Sequence, residues 1–336
     1  MSTPPVGAPP QGPRMVMVAV MVPLLVTLAL WAFAWPAART APRDLPLGVA
    51  GPTAAAGSMA RQLERREGAF EIHRYADEAE ARAAIEDRTV YGAVVVAPQG
   101  PKLLTATAAS PVVAQLLRQA VHEQGPESDP VPVVDVVPAP AADPRGSALG
   151  SSVLPLAIAG VAAGALVTVR GLRGVRAVAT LIVTAALVGT VAAALTHSWL
   201  GVLTGNWWAE AGALSLATLA VGGTVAGLAA LLGPAGIAVG ALLMVLLGNP
   251  FSGVTSAPRL LPEPVGFIGQ LLPPGAGGSL LRSVSFFDGA AAAGPALTLG
   301  AWAALGLTAV LLGTLRGRRT PVTPDPADRP QAAPVG

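Results

Sequence analysis

The sequence predicts a polytopic α-helical membrane protein, with six transmembrane helices and a small extracytoplasmic α/β domain between the first two. Three observations carry this. Of the 336 residues, 52% are hydrophobic and 12% charged, about half the charge of an ordinary soluble domain. Mean hydropathy is +0.59. The charge is also unevenly placed. Between Arg39 and Arg145 there are fourteen Asp and Glu against eleven Lys and Arg, whereas Ser151–Leu315 holds three acids, Glu210, Glu263 and Asp288. A water-soluble block and an oily block share one chain.

The same composition excludes several classes. Disorder over most of the chain would need low hydrophobicity and high charge. A net charge of +2 gives no extended basic surface for nucleic acid. The absence of cysteine removes disulfides, thiolate metal sites, iron–sulfur clusters and cysteine nucleophiles. Lys102 is the one lysine beside twenty arginines, a coding bias rather than chemistry.

Met1–Arg14 is Pro-rich and reads as a disordered cytoplasmic N-terminus. Met15–Trp35 is an apolar run of spanning length, at about 20 residues per bilayer. It exceeds a typical signal core, so it reads as an uncleaved anchor; cleavage would leave the remaining topology unchanged. Residues 36–148 form the soluble block. Four apolar runs of spanning length follow in 149–315: Leu149–Val169, Ala177–His197, Ala209–Leu232 and Ala296–Leu315. Ala235–Gly248 is apolar but short, so it must extend into its flanks or end inside the protein; Asn249-Pro250 after it is a helix-stop signal. Residues 316–336 read as a disordered cytoplasmic tail.

Orientation follows from the arginines. Arg170, Arg173 and Arg176 share one short loop, and Arg316, Arg318 and Arg319 follow the last span. Both groups belong in the cytoplasm. Ser198–Ala209 has no Lys or Arg and carries Trp199, Trp207 and Trp208, an aromatic belt for the outer interface. Six spans then place both termini inside, in the plasma membrane, and residues 36–148 outside.

Within the soluble block the order is β-α-β-α-β-β-α-β. Leu45–Ala50 is a strand, Thr53–Glu67 a helix and Ala69–Tyr75 an alternating strand. Asp77–Arg88 is a helix with a capping-box-like start at Asp77 and Glu80. Tyr91–Ala97 is a continuous apolar run, hence a buried strand. Lys102–Thr107 is a further strand. Ser110–Gln124 is a helix begun by Ser-Pro, and Val131–Val137 is the last strand. His73 lies opposite Phe70 and Ile72 and is expected to face solvent. No HExxH, Gly-x-Ser-x-Gly or Walker A pattern occurs, so the chain is read as no enzyme, with no catalytic, metal or cofactor residues.

In the spans, Asp, Glu and His are nearly absent, which argues against an ion-driven carrier. Glu210, beside Trp207 and Trp208, reads as an interfacial residue. Gly160/Gly164, Gly223/Gly227 and Gly236/Gly240 make GxxxG spacings, packing surfaces either within the bundle or at a dimer seam. Asn249–Gly289 is apolar and rich in Pro and Gly. Its stretches Val265–Leu272 and Gly278–Phe287 have helical spacing, with Arg282 on a separate face. They read as two outer amphipathic helices within 259–289, joined by Pro273-Pro274-Gly275 and lying in or dipping into the outer leaflet. Two readings stand: a loop that covers the bundle, or an outer gate built on Asn249, Pro250, Pro273, Pro274, Gly275 and Arg282.

Four segments carry a family resemblance: LPLGVAGP at 45–52, YGAVVVAP at 91–98, GNPFSG at 248–253 and LPPGAGGSLLRSVSFFDG at 272–289. With the order of one span, a large outer domain and five spans, the chain resembles the ABC-2 type permeases, in particular the YhgE/Pip-like membrane proteins of high-GC Gram-positive bacteria. The resemblance implies a six-span permease half that forms a homodimer in the lipid bilayer. It also implies a separate ATPase subunit docking on a cytoplasmic loop, here at Arg170, Arg173 and Arg176. The expected role is export of an apolar or amphiphilic substrate. One feature departs: exporters usually carry an amphipathic cytoplasmic helix before the first span, and Met1–Arg14 does not form one. YhgE/Pip-like proteins are also associated with phage infection and with envelope or secretion roles, which gives the alternative of a non-transporting scaffold, secretion accessory or phage-receptor-like protein.

Overall fold

A computed structural model of the chain describes residues 12–65, 67–122 and 131–317. It is mostly helical, with one small sheet, and six of its helices are long and apolar enough to cross a membrane. Most of the expected disordered segments 1–14 and 316–336 lies outside the described residues. Where they are described, residues 12–14 and 316–317 are helical: α1 spans Gly12–Ala38 and the last helix runs to Gly317.

The soluble block folds in the expected order: β1 (Leu45–Ala50), α2 (Thr53–Glu64), β2 (Phe70–Tyr75), α3 (Glu78–Glu86), β3 (Gly92–Ala97), β4 (Gly100–Thr105), α4 (Pro111–His122) and β5 (Val133–Asp135). The sheet order is β2-β1-β3-β4-β5, parallel except for the β3–β4 hairpin. The hairpin starts at Gly100 because Gly92 pairs with Thr105 and Ala97 with Gly100. The expected last strand shrinks to three residues. The capping box at α3 is complete: the Asp77 carboxylate accepts from the Glu80 N–H and Glu80 accepts from the Ala76 N–H, both at 2.9 Å. Ser110 accepts the Val113 N–H and so caps α4.

Alternation along the strands divides the core in two. Leu45, Leu47, Val49, Val94 and Leu103 face α2 and α4, while Ala93, Val95 and Leu104 pack with Ile85 of α3. Both halves are completed from far along the chain. Ala257 and Leu260 join the first, and Phe287 joins the second. The sheet therefore sits astride the segment that follows residue 250. His73 is half-buried rather than solvent-facing, with Glu71 at 3.6 Å.

The remaining helices are α5 (Ser147–Val169), α6 (Gly174–Ala193, prolonged to Trp199 as a π-helical turn), α7 (Trp207–Leu232), α8 (Pro234–Ala241), α9 (Asn249–Phe251), α10 (Val265–Leu271), α11 (Pro273–Phe286) and α12 (Ala293–Gly317). Asp143 starts α5: its carboxylate accepts the Ser147 and Ala148 N–H groups at 2.8 Å. α7 is the central helix, packed against α5, α6, α11 and α12.

The GxxxG glycines serve this bundle. A Cβ on Gly160 would lie 2.7 Å from Val221 Cβ, one on Gly164 2.5 Å from the Gly222 carbonyl, and one on Gly227 2.6 Å from the Gly306 carbonyl. Side chains larger than hydrogen would push these backbones apart. By contrast α1, among the described residues, meets the rest of the protein near its C-terminal end, where Trp35 packs against the cluster of Phe251, Leu261 and Val265.

The short apolar run resolves by extension. α8, a π-helical stretch at Leu242–Gly248 and α9 form one rod over Pro234–Phe251. Asn249-Pro250 lies in its last turn, and the rod ends one residue later, at Phe251. Proline lacks an N–H and normally clashes with the carbonyl four residues back; the wider π turn before it relieves that clash.

Candidate functional site

The segment 249–289 is a folded insert between the fifth and last candidate spans. The rod ends at Phe251, and the chain reverses at Gly253, whose φ of +65° suits glycine. A single 3-10 turn at Pro258–Leu260 precedes α10. One extended residue, Leu272, separates α10 from α11. Pro273-Pro274-Gly275 is thus no linker; it is the first turn of α11, where a missing N–H costs nothing. Close contacts fix the three pieces together. A Cβ on Gly248 would lie 2.7 Å from Pro274 Cγ, one on Gly269 would strike the Phe251 carbonyl, and one on Gly275 would strike the Gly269 carbonyl.

α11 departs from an amphipathic surface helix. Pro273, Pro274, Gly275, Leu280, Leu281, Arg282 and Ser285 are all buried, against α7, α12 and α5. α10 does keep an outward apolar face, with Phe267, Ile268 and Leu271 exposed.

A chain of hydrogen bonds runs through the insert to the α/β domain. Gln270 donates to the Ser252 carbonyl at 2.7 Å, and Ser279 donates to Gln270 Oε1 at 2.6 Å. Arg88, at the end of α3 and with φ of +61°, donates to the Ser279 carbonyl at 3.1 Å and to the Ser283 hydroxyl. Its guanidinium lies 5.3 Å from the centre of the Phe287 ring. Two more anchors lie nearby: Ser110 donates to the Ser256 carbonyl at 2.6 Å, and Arg43 to the Leu260 carbonyl at 2.8 Å. Trp302 of α12 donates to the Leu271 carbonyl at 2.8 Å.

Arg282 is not on a free face. It is 6% exposed and donates to the Val254 carbonyl at 2.9 Å. Burial, and then the positive charge of Arg88, lower its pKa to about 10; burial lowers that of Arg88 too. Arg282 remains charged near neutrality, and among the described residues neither arginine has an acid partner. The junction is cationic and held by carbonyl dipoles. Tyr91, half-buried beside it, has its pKa raised by desolvation.

All six gate candidates, Asn249, Pro250, Pro273, Pro274, Gly275 and Arg282, fall within this insert. Beneath it, α5, α7 and α11 enclose an apolar cavity of about 30 Å³ lined by Pro273 and Pro274, room for about one water. The dock candidates Arg170, Arg173 and Arg176 lie at the other end of the bundle, exposed on the α5–α6 turn. The length of α5, about 33 Å at 1.5 Å per residue, separates the two groups.

Sequence reasoning missed two features. Arg88 was only the last residue of the expected helix Asp77–Arg88; its contacts lie 191 and 195 residues away, beyond any local pattern. Glu210, read as interfacial, is fully buried. It accepts the Gly205 N–H at 2.9 Å and faces His197 Nδ1 at 2.8 Å. The π-helical turn Ala194–Trp199 carries His197, and such turns are frequent at functional positions.

No group of three or more His, Cys, Asp or Glu that could hold a metal occurs among the described residues. No family model matches the chain, and neither does any curated protein or solved structure.

Proposed function

We propose that this chain is the transmembrane subunit of an ABC-2-like exporter in the plasma membrane, moving an apolar or amphiphilic substrate outward. In this reading it works as a homodimer, with both termini cytoplasmic and the α/β domain outside. A separate ATPase subunit docks on Arg170, Arg173 and Arg176, and the segment 249–289 is the outer gate. The reading rests on one observation above others: the insert is wedged between the bundle and the α/β domain, and Arg88 ties it to that domain. A movement of the domain would pull directly on α11. The sparse charge of the spans and the placement of arginines and tryptophans at opposite ends support the orientation.

A second reading has its own support. The cavity under the insert holds about 30 Å³, far too little for a substrate, which favours a non-transporting envelope scaffold or receptor acting through its outer domain. Purification from native membranes in mild detergent, followed by mass spectrometry of what co-purifies, separates the two. The exporter reading expects a stoichiometric ATPase subunit that is lost when Arg170, Arg173 and Arg176 are all changed to Ala. Recovery of envelope or secretion proteins through residues 36–148, with no ATPase, sinks it.

A further inference from the structure

Below the exposed α5–α6 turn lies a second cavity. Its volume is about 530 Å³, within the size range of small-molecule sites, roughly 300–1,000 Å³. Its walls come from four helices and are apolar: Val167 of α5, Ala226 of α7, Ile237 of α8 and Val310 of α12, with Leu172 on the turn. At its mouth stands Arg173, with Arg170 and Arg176 three residues to either side.

None of these three arginines has an ion pair among the described residues. From Ser151 to Ala209 the chain has no acid at all. Glu210 is buried near the opposite end of α7, about 24 Å from Ala226 along the helix at 1.5 Å per residue. An apolar trough with Arg173 at its mouth, flanked along the chain by Arg170 and Arg176 and set at the end of a membrane bundle, has the two-part chemistry of an anionic lipid. The trough takes an acyl chain. The guanidinium groups take the phosphate through charge-assisted, paired N–H bonds.

We propose that this cavity is a binding site for one anionic phospholipid of the surrounding bilayer, its headgroup on Arg170, Arg173 and Arg176 and an acyl chain between α5, α7, α8 and α12. The occupant is a lipid rather than a protein segment because the walls are mainly apolar and the arginine at the mouth calls for an anion joined to an apolar chain. The site needs only that the spans lie in a bilayer. It does not rest on the exporter reading, although an ATPase on the same arginines would compete with the headgroup.

The test uses the purified full-length chain alone, so it is independent of any partner. Native mass spectrometry is run after incubation with phosphatidylglycerol or with phosphatidylcholine of identical acyl chains. One phosphatidylglycerol should be retained per chain, at least tenfold better than phosphatidylcholine. Replacing the three arginines with Gln should bring retention to the phosphatidylcholine level, whereas Arg173→Lys, which keeps the charge but loses the paired N–H bonds, should give an intermediate value. Ile237→Trp fills the trough and leaves the arginines; it should cut retention of phosphatidylglycerol about tenfold. Equal retention of the two lipids by the unaltered chain overturns the proposal without any variant. Retention that depends on the arginines but survives Ile237→Trp overturns the seat between the helices, leaving a surface contact.

Discussion

α1 and α7 look alike by hydropathy and differ in everything else. Their apolar windows average 2.5 and 1.8, yet 6% of the first is buried against protein and 61% of the second. The more hydrophobic helix is the lonelier one. Lipid tails are as apolar as leucine, so hydrophobicity places a helix in a membrane but does not pack it against another. Packing follows from size. Met15–Ala38 contains no glycine, whereas α7 carries Gly212, Gly222, Gly223 and Gly227. At Gly223 and Gly306 the backbones of α7 and α12 meet so closely that a Cβ on Gly306 would lie 2.5 Å from the Gly223 carbonyl oxygen.

Three substitutions probe that contrast. Gly306→Leu should have the largest effect, because the Gly223 backbone has no room to yield. We expect a loss of about 3 kcal/mol, the upper end for overpacking, seen as failure to recover monodisperse protein. Glu210→Gln keeps an oxygen for the Gly205 N–H but gives up the carboxylate that faces His197. It should cost about 1–2 kcal/mol, the difference between a charged and a neutral hydrogen bond, and lower the thermal midpoint in detergent. A midpoint unchanged by Glu210→Gln would mean the pair does not hold the start of α7. Leu24→Ala, in the exposed part of α1, should stay within about 0.5 kcal/mol. A large loss there would show that α1 is covered by something other than lipid, such as a second copy of the chain.

What could be read from the sequence follows the range of the interaction that decides each element. The Asp77–Glu80 box and the Ser110 cap are settled within four residues, so α3 and α4 begin where their local chemistry says. The three-residue β5 depends on β4 across the sheet, and its ends were not legible. Asn249-Pro250 was a sound stop signal: the rod ends at Phe251, one residue past the proline. Within the insert, the helical spacing of Leu280, Leu281 and Val284 marked the C-terminal part of α11, but not its start at Pro273. Its burial was hidden, since the faces that cover it belong to α5, α7, α12 and the α/β domain. Arg282 and Arg88 converge only in three dimensions, and neither has a sequence neighbour that announces it.

The two-sided core of the α/β domain sets an order of events during synthesis. The sheet and its helices are complete by Val137, but Ala257 and Leu260 on one face and Phe287 on the other come later. At 5–20 residues per second the ribosome needs on the order of 10 s to supply the intervening 150 or so residues. Until then the domain waits unfinished, its first face until Leu260 and its second until Phe287, while helices α5 to α11 are being delivered. Its final closure is therefore a late event, timed by the arrival of the insert.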